Sequence, residues 1–434
     1  MPFHLRATVL LAAIALQAGQ AAVFAQASQR VTPEAVQALD FDVTLSGAYE
    51  SDDAEKIVTP GFGAQLQPAG YSTVGIGNLQ YTRQFPRGRF AAGAGSAVRH
   101  SPEEQQPFTS IAHNGFADLT TNLSNRLLLH VNQLVAYSPS YLYGTFPTLP
   151  DAPLDTSVTV PQDYDFNLDN SSSYMLGTTV VLTRSLTRHF RVNVQGEFGQ
   201  TNFSKESDLR KDLTTYSIGG GVQRDFTRST VLAMDYRYRT GEGYGVGVTT
   251  GEHLANIGFD LSRPLSTRRR FLFSARLGGS TVDIPESVAE FETGGRQFRV
   301  NADFTVLYPF ARTWRLRGSY NRGVQYVGGL PEPAFVDGFS GEVGGLISRR
   351  VEFLARFSRS SGESLLATTR SLLDTYASEV RISYSLSRYL DTFGEYVAYS
   401  YSAQDRVLDP GLPPSLNRHG FHAGLTLHVP VSRR

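Results

Sequence analysis

From residue 189 to 200 the chain reads His-Phe-Arg-Val-Asn-Val-Gln-Gly-Glu-Phe-Gly-Gln. In an extended conformation Phe190, Val192, Val194, Gly196 and Phe198 fall on one side, and Arg191, Asn193, Gln195, Glu197 and Gly199 on the other. Successive side chains of a strand point to opposite faces, whereas a helix would scatter both sets around its axis. The alternation recurs. Phe271, Phe273, Ala275 and Leu277 oppose Arg270, Ser274 and Arg276; Phe298, Val300, Ala302, Phe304, Val306 and Tyr308 oppose Arg299, Asn301, Asp303 and Thr305. Trp314, Leu316, Gly318 and Tyr320 oppose Arg315, Arg317, Ser319 and Asn321; Val380, Ile382, Tyr384 and Leu386 oppose Glu379, Arg381 and Ser383. A charge facing lipid near the midplane costs about 2–4 kcal/mol, so the apolar set is expected to face lipid and the charged set water. Two segments are less regular. Residues 389–402 put Glu395 on the face of Phe393 and Val397, which leaves that register open, and residues 89–98 are small on both faces.

So many one-sided apolar walls need cover, and too few residues remain to form a second layer. The simplest closed solution is a barrel with lipid outside and water inside. Eighteen strand candidates follow along the chain: 41–49, 72–85, 89–98, 115–123, 126–137, 173–184, 189–200, 214–226, 230–239, 252–263, 270–282, 296–308, 313–327, 338–348, 351–360, 375–387, 389–402 and 418–431. Their length of about 9–14 residues suits tilted membrane-crossing strands. Tight turns alternate with long connections, which predicts an all-β, transmembrane antiparallel β-barrel over residues 41–431, with short periplasmic turns and long extracellular loops. From Leu186 onward the tight turns recur roughly every 40 residues, which is also a propeller period. Propeller blades carry four short strands per period; this chain offers two long ones. Aromatic residues gather near both ends of the strands, as expected of two interfacial girdles.

Residues 1–25 read as a signal peptide: a weakly basic start at His4 and Arg6, an apolar run from Ala7 to Leu16, and Val23-Phe24-Ala25 before a cleavage point at Gln26. Residues 26–40 form a polar periplasmic lead-in. The mature chain has no other long apolar run, so helical spans are not expected. The absence of cysteine removes disulfides, thiolate metal sites and a Cys nucleophile. Lys plus Arg balance Asp plus Glu at 40 each, and nothing points to a nucleic-acid partner. Glycine is abundant at 41, with 21 Tyr and 27 Phe, a composition suited to aromatic-rich strands.

On these strands and turns, the chain resembles the porin-like outer-membrane barrels of Gram-negative bacteria. The resemblance covers Phe41 to Val431 and is architectural, with no family-specific signature. In strand number it is similar to sugar-selective porins and to exopolysaccharide-export barrels. It implies outer-membrane lipid and the barrel-assembly machinery as partners, and small hydrophilic solutes or a polysaccharide as cargo. One departure stands out. Such chains usually end on an aromatic residue that the assembly machinery reads, whereas this one ends Leu427-His428-Val429-Pro430-Val431-Ser432-Arg433-Arg434, with Phe421 its last aromatic.

Chemistry is not expected. No histidine sits in a recognisable motif with Ser or Asp, and His419 and His422, three apart on a strand, point to opposite faces and do not make a metal pair. No cofactor motif appears. The candidate pore-lining residues are Arg191, Arg237, Arg239, Arg276, Arg299, Arg315, Arg317, Arg356 and Arg381, with Asp235, Asp303 and Glu379. Such charges either select ions along a pore or pair across the wall and keep the interior wet. The longest connection, residues 138–172, carries Asp151, Asp155, Asp163, Asp165 and Asp169 and no Lys, Arg or His. It is either a constriction loop whose carboxylates face Arg191, Arg237 or Arg276, or a solvated surface loop.

Overall fold

A computed structural model describes residues 37–52, 70–102, 108–138, 172–204, 212–244, 248–267, 269–284, 295–326, 333–365, 372–403 and 415–433. They form eighteen strands: β1 (Gln37–Asp52), β2 (Gly70–Phe85), β3 (Gly88–Ser101), β4 (Phe108–Ser124), β5 (Leu127–Ser138), β6 (Ser173–Ser185), β7 (Phe190–Phe203), β8 (Leu213–Asp225), β9 (Thr230–Tyr244), β10 (Val248–Pro264), β11 (Arg270–Ile284), β12 (Gly295–Tyr308), β13 (Arg315–Gln325), β14 (Ala334–Leu346), β15 (Val351–Ser364), β16 (Leu372–Ser385), β17 (Leu390–Ala403) and β18 (Ser415–Arg433). Each pairs antiparallel with its sequence neighbours, and β18 pairs with β1 from Ala38↔Arg433 to Asp52↔Arg418, which closes the sheet. Closure leaves no edge strand and pairs every strand on both sides, the β12–β13 ladder being the shortest, from Ala302↔Arg322 to Tyr308↔Leu316; internal pairing is the condition for crossing hydrocarbon.

The two faces separate as the alternation predicts. On β7 Val194 is half exposed while Gln195 is fully buried; on β12 Phe298 and Val300 are exposed while Asn301 is buried. The polar face is the concave one. Glu50 on β1 meets Arg99 on β3, and Glu197 on β7 meets Arg237 on β9. Side chains reach past an intervening strand only where the wall curves toward them. The apolar face is therefore outward, and the fold is an outer-membrane-type barrel. Rings pair across neighbouring strands on this outer face, as in Tyr49–Tyr71, Tyr137–Tyr174 and Tyr396–Phe421, each with centroids 4.9 Å apart. Such cross-strand pairs contribute roughly 0.2–1 kcal/mol each. At the turn end Phe310, Trp314 and Phe353 form a row, with the Trp314 indole donating to the Leu346 carbonyl.

Five tight turns share one construction. An exposed apolar residue (Leu186, Phe226, Leu265, Ile347 or Leu386) opens the turn, and its N–H donates to the carbonyl of Phe190, Thr230, Arg269, Val351 or Leu390. A Ser or Thr follows. In four of the turns its hydroxyl accepts from the backbone N–H two residues on: His189 to Thr187, Ser229 to Thr227, Arg350 to Ser348, Tyr389 to Ser387. This is the local bond that makes Ser and Thr good turn residues.

Several strands run further than the alternation alone suggests, while β13 is shorter than the expected 313–327, at Arg315–Gln325, and leaves Trp314 in the turn. β1 continues to Asp52, β3 to Ser101, β4 begins at Phe108, β10 at Val248 and β14 at Ala334, and β18 spans Ser415 to Arg433. The barrel strands thus start at Gln37, four residues before Phe41, and end two residues after Val431. Pro430 fits β18 because β17 pairs only as far as Leu390↔Leu427, so the missing N–H lies beyond that ladder; a register shift near Asp40 absorbs it on the β1 side.

Candidate functional site

The concave wall carries the charged residues of the alternating strands, and neighbouring strands bring opposite charges into register. Starting at β13, Arg315 lies 3.5 Å from Glu342 on β14, which Arg356 of β15 approaches to 3.1 Å. Arg356 also reaches Glu379 of β16 at 3.3 Å. On the same strand Arg381 contacts Glu395 of β17, and Glu395 lies 3.4 Å from His422 of β18. His422 leads to Glu50 of β1, and Glu50 binds Arg99 of β3 at 2.8 Å and Arg418 of β18 at 3.5 Å. One band of alternating charge thus runs along the wall from β13, past the β18–β1 seam, to β3.

The opposite arc is built the same way in shorter pieces. Arg191 bonds Asp225 at 2.9 Å, Arg237 bonds Glu197, Arg239 bonds Glu252, and Arg276 bonds Asp260 at 2.8 Å. Asp235 accepts from Asn256, and Asp303 stands directly opposite Arg276 in the β11–β12 register. Arg317 stands opposite Glu342, and Arg299 covers the ring of Phe335. Between the arcs, His130 of β5 meets Asp118 of β4. Several members are deeply buried, among them Glu252, Glu379, Arg99 and Arg418.

All twelve wall candidates lie on strands of this sheet, and paired charge dominates their surroundings. Backbones of adjacent strands lie roughly 4.8 Å apart, so side chains directly opposite meet, as Arg356 does with Glu342 and Glu379, while Arg191–Asp225 and Arg276–Asp260 meet on the diagonal. The acidic residues of the longest connection, Asp151, Asp155, Asp163, Asp165 and Asp169, lie outside the described residues. The three arginines expected to face them are engaged by Asp225, Glu197 and Asp260.

Sequence reasoning missed the Glu50–Arg99–Arg418 cluster, because Glu50 and Arg99 were expected in connections and Arg418 at a strand's first residue. Parity held the signal: Ser46, Ala48 and Glu50 share a face opposite Leu45 and Tyr49, so β1 could have been extended. The register of β17 is also settled. Phe393, Glu395, Val397 and Tyr399 are buried on the concave face, and Tyr396 is outward, stacked on His419. His419 and His422 lie on opposite faces, and no metal-ligand cluster occurs among the described residues.

The turn-end mouth is basic. Exposed Arg87, Arg126, Arg188, Arg228, Arg312, Arg349, Arg350 and Arg388 lie in the tight turns.

No protein-family model and no curated protein matches the chain. Among solved structures it is similar to Pseudomonas aeruginosa OccK5 (OpdH), with 10% identity, TM-score 0.40, and 90% of this chain and 98% of that chain covered. Acinetobacter baumannii OccAB4 aligns with 12% identity and TM-score 0.40 over 92% of this chain and 100% of that one. The siderophore receptor PirA from Pseudomonas aeruginosa aligns with 8% identity and TM-score 0.42 over 92% and 81%.

Proposed function

We propose that the protein is an outer-membrane channel through which small hydrophilic solutes pass passively. The observation that carries this is the closed eighteen-stranded wall with fixed charges of both signs on its concave face. A barrel of that strand number encloses an aqueous path unless something fills it. Because the wall charges are paired, they present local dipoles rather than one sign of field. They suit polar, neutral or zwitterionic solutes, which exchange hydrogen bonds with carboxylates and guanidiniums during passage. The arginines of the tight turns add a field of one sign at one mouth, which concentrates anions there at low salt.

The test is a planar-bilayer recording on refolded mature protein. Stepwise ohmic conductance with a modest anion preference that fades as salt rises is the expected result. A folded, membrane-inserted barrel that conducts no ions and admits no sugar in liposome swelling would refute the channel.

A further inference from the structure

On the outer face, guanidiniums stand near both ends of the strands, and the two ends differ. At the long-connection end Arg296, Arg322 and Arg359 each have a carboxylate on a neighbouring strand: Asp283 at 2.9 Å, Asp337 at 3.5 Å and Asp374 at 3.6 Å. At the turn end Arg83 of β2, Arg184 of β6, Arg224 of β8 and Arg263 of β10 have the same outward parity, opposite Phe90, Val192, Phe190 and Phe271 in register. All four are exposed, and none of their side chains has a hydrogen bond or an ion pair among the described residues. The carboxylate next to Arg224 in sequence, Asp225, is on the concave face and is held by Arg191.

The sequence repeats around these arginines. Arg83-Gln-Phe85-Pro-Arg87, Arg184-Ser-Leu186-Thr-Arg188 and Arg224-Asp-Phe226-Thr-Arg228 share one pattern, an apolar residue between two arginines, and Arg263-Pro-Leu265 continues to Arg269 through a longer turn. Leu186, Phe226 and Leu265 are exposed. Arg87, Arg188 and Arg228 are exposed too, again with no side-chain partner among the described residues. Three of the four turns, β6–β7, β8–β9 and β10–β11, are consecutive. They stand two strand spacings, about 10 Å, apart and form one arc of the rim. A guanidinium facing lipid is costly at the midplane and nearly free at the interface, so the four wall arginines belong at headgroup level. The apolar residue stands two positions, about 6.6 Å, nearer the turn, a distance that an arginine stem can span.

We propose that each of these turns binds the headgroup of one anionic phospholipid of the adjacent leaflet. The phosphate is held between the wall arginine and the turn arginine, and the apolar residue between them lies among the acyl chains. Guanidinium and phosphate match in geometry and form charge-assisted bonds. The site selects by headgroup charge: a zwitterionic lipid brings its own ammonium against two guanidiniums, whereas phosphatidylglycerol brings none. The paired arginines of the other end have no such capacity, because Asp283, Asp337 and Asp374 already neutralise them. Outward parity also decides between lipid and an acidic protein seated over the mouth, since Arg184, Arg224 and Arg263 point away from the lumen into the leaflet. These sites are on the outer face and are independent of conductance.

The chain has a single tryptophan, Trp314, so a local reporter can be moved. Two barrels are refolded, W314F/F226W with the reporter in an arginine turn and W314F/F339W with it beside Arg359 at the other end. The vesicles are phosphatidylcholine mixed with brominated phosphatidylglycerol or with brominated phosphatidylcholine. Quenching gives the relative affinity of the two lipids at each position, and heat-dependent gel mobility checks folding. At position 226 phosphatidylglycerol should be favoured at least about fivefold at low salt, the pull of one interfacial arginine, and less as salt rises. At position 339 the ratio should be near one. R224Q/R228Q should bring the ratio at 226 down to that of 339, and Arg228→Gln alone, in the turn, should lower it by about half if the double variant does not fold. A ratio near one at 226, equal ratios at the two positions, or a ratio indifferent to these substitutions overturns the lipid site. Soluble polyglutamate that shields the reporter at 226 from acrylamide, with no lipid preference there, assigns the turns to an acidic partner and overturns it as well.

Discussion

Glu50 is the most consequential single carboxylate of the wall. It is 6% exposed and faces Arg99 and Arg418, each 3% exposed, with His422 beside it. Glu50→Gln keeps the shape and one carbonyl acceptor but withdraws the negative charge that both guanidiniums face. Removing one partner of a buried pair costs about 3–5 kcal/mol, because the remaining charge stays desolvated. Here the lower end applies, about 3 kcal/mol, since Gln still accepts one hydrogen bond and the lumen admits some water. The comparison is Asp283→Asn. Asp283 pairs with Arg296 at 2.9 Å, a distance close to that of Glu50 with Arg99, but the Arg296 side chain is 77% exposed. An exposed pair of this kind is worth about 0–1 kcal/mol. Both variants are refolded into liposomes and titrated with urea, and the folded fraction is read from gel mobility without heating. The Glu50 variant should unfold at clearly lower urea, with a free-energy loss at least about 2 kcal/mol larger than that of Asp283→Asn. Equal losses would mean that water screens the cluster and that burial, not distance, was misjudged as the source of its strength.

Three further outcomes follow from the same geometry. Single cysteines at Arg191, Arg315 and Glu352 should react with a water-soluble thiol reagent, while cysteines at Phe298, Val300 and Leu277 stay protected by lipid; equal labelling of both sets would contradict the assignment of faces. The mature chain should begin at Gln26 by N-terminal sequencing and fractionate with the outer membrane, and a soluble periplasmic product retaining Met1 would contradict both expectations. Deleting residues 149–165 should leave single-channel conductance nearly unchanged, because Arg191, Arg237 and Arg276 already have carboxylate partners on the wall; a large rise in conductance would place a constriction in the acidic connection.

The barrel was legible because a strand exposes its environment at every second residue. Phe298, Val300, Phe304 and Tyr308 declare a lipid face without help from any distant residue. Pairing was only half legible. Parity puts Arg356 and Glu379 on the same face, but their contact depends on the β15–β16 register, in which Arg356 stands directly opposite Glu379. A slip of two residues would keep every face correct and break that pair, so alternation alone left selective charge and paired charge equally open.

The β13–β14 end was illegible for a stronger reason. Tyr320, Val324 and Phe339 follow the same alternation as the wall and read as outer-face residues, while Phe335 was expected in the connection before residue 338; the register puts Val324 opposite Phe335 and Tyr320 opposite Phe339. Two of them do face outward, and two lie buried against Val282 and Arg299 inside the barrel. Nothing local separates the pairs, because an apolar side chain is as well satisfied by a covered cluster as by lipid. What separates them is the absence of a partner on β12 above Ala302 and the presence of a donor, Arg239, four strands away. Both are properties of the closed sheet, fixed only once β9 and β13 stand at a set distance around the lumen. The alternation that identifies a membrane wall therefore cannot tell an outer-face residue that meets lipid from one that is covered by its neighbours at the end of the sheet.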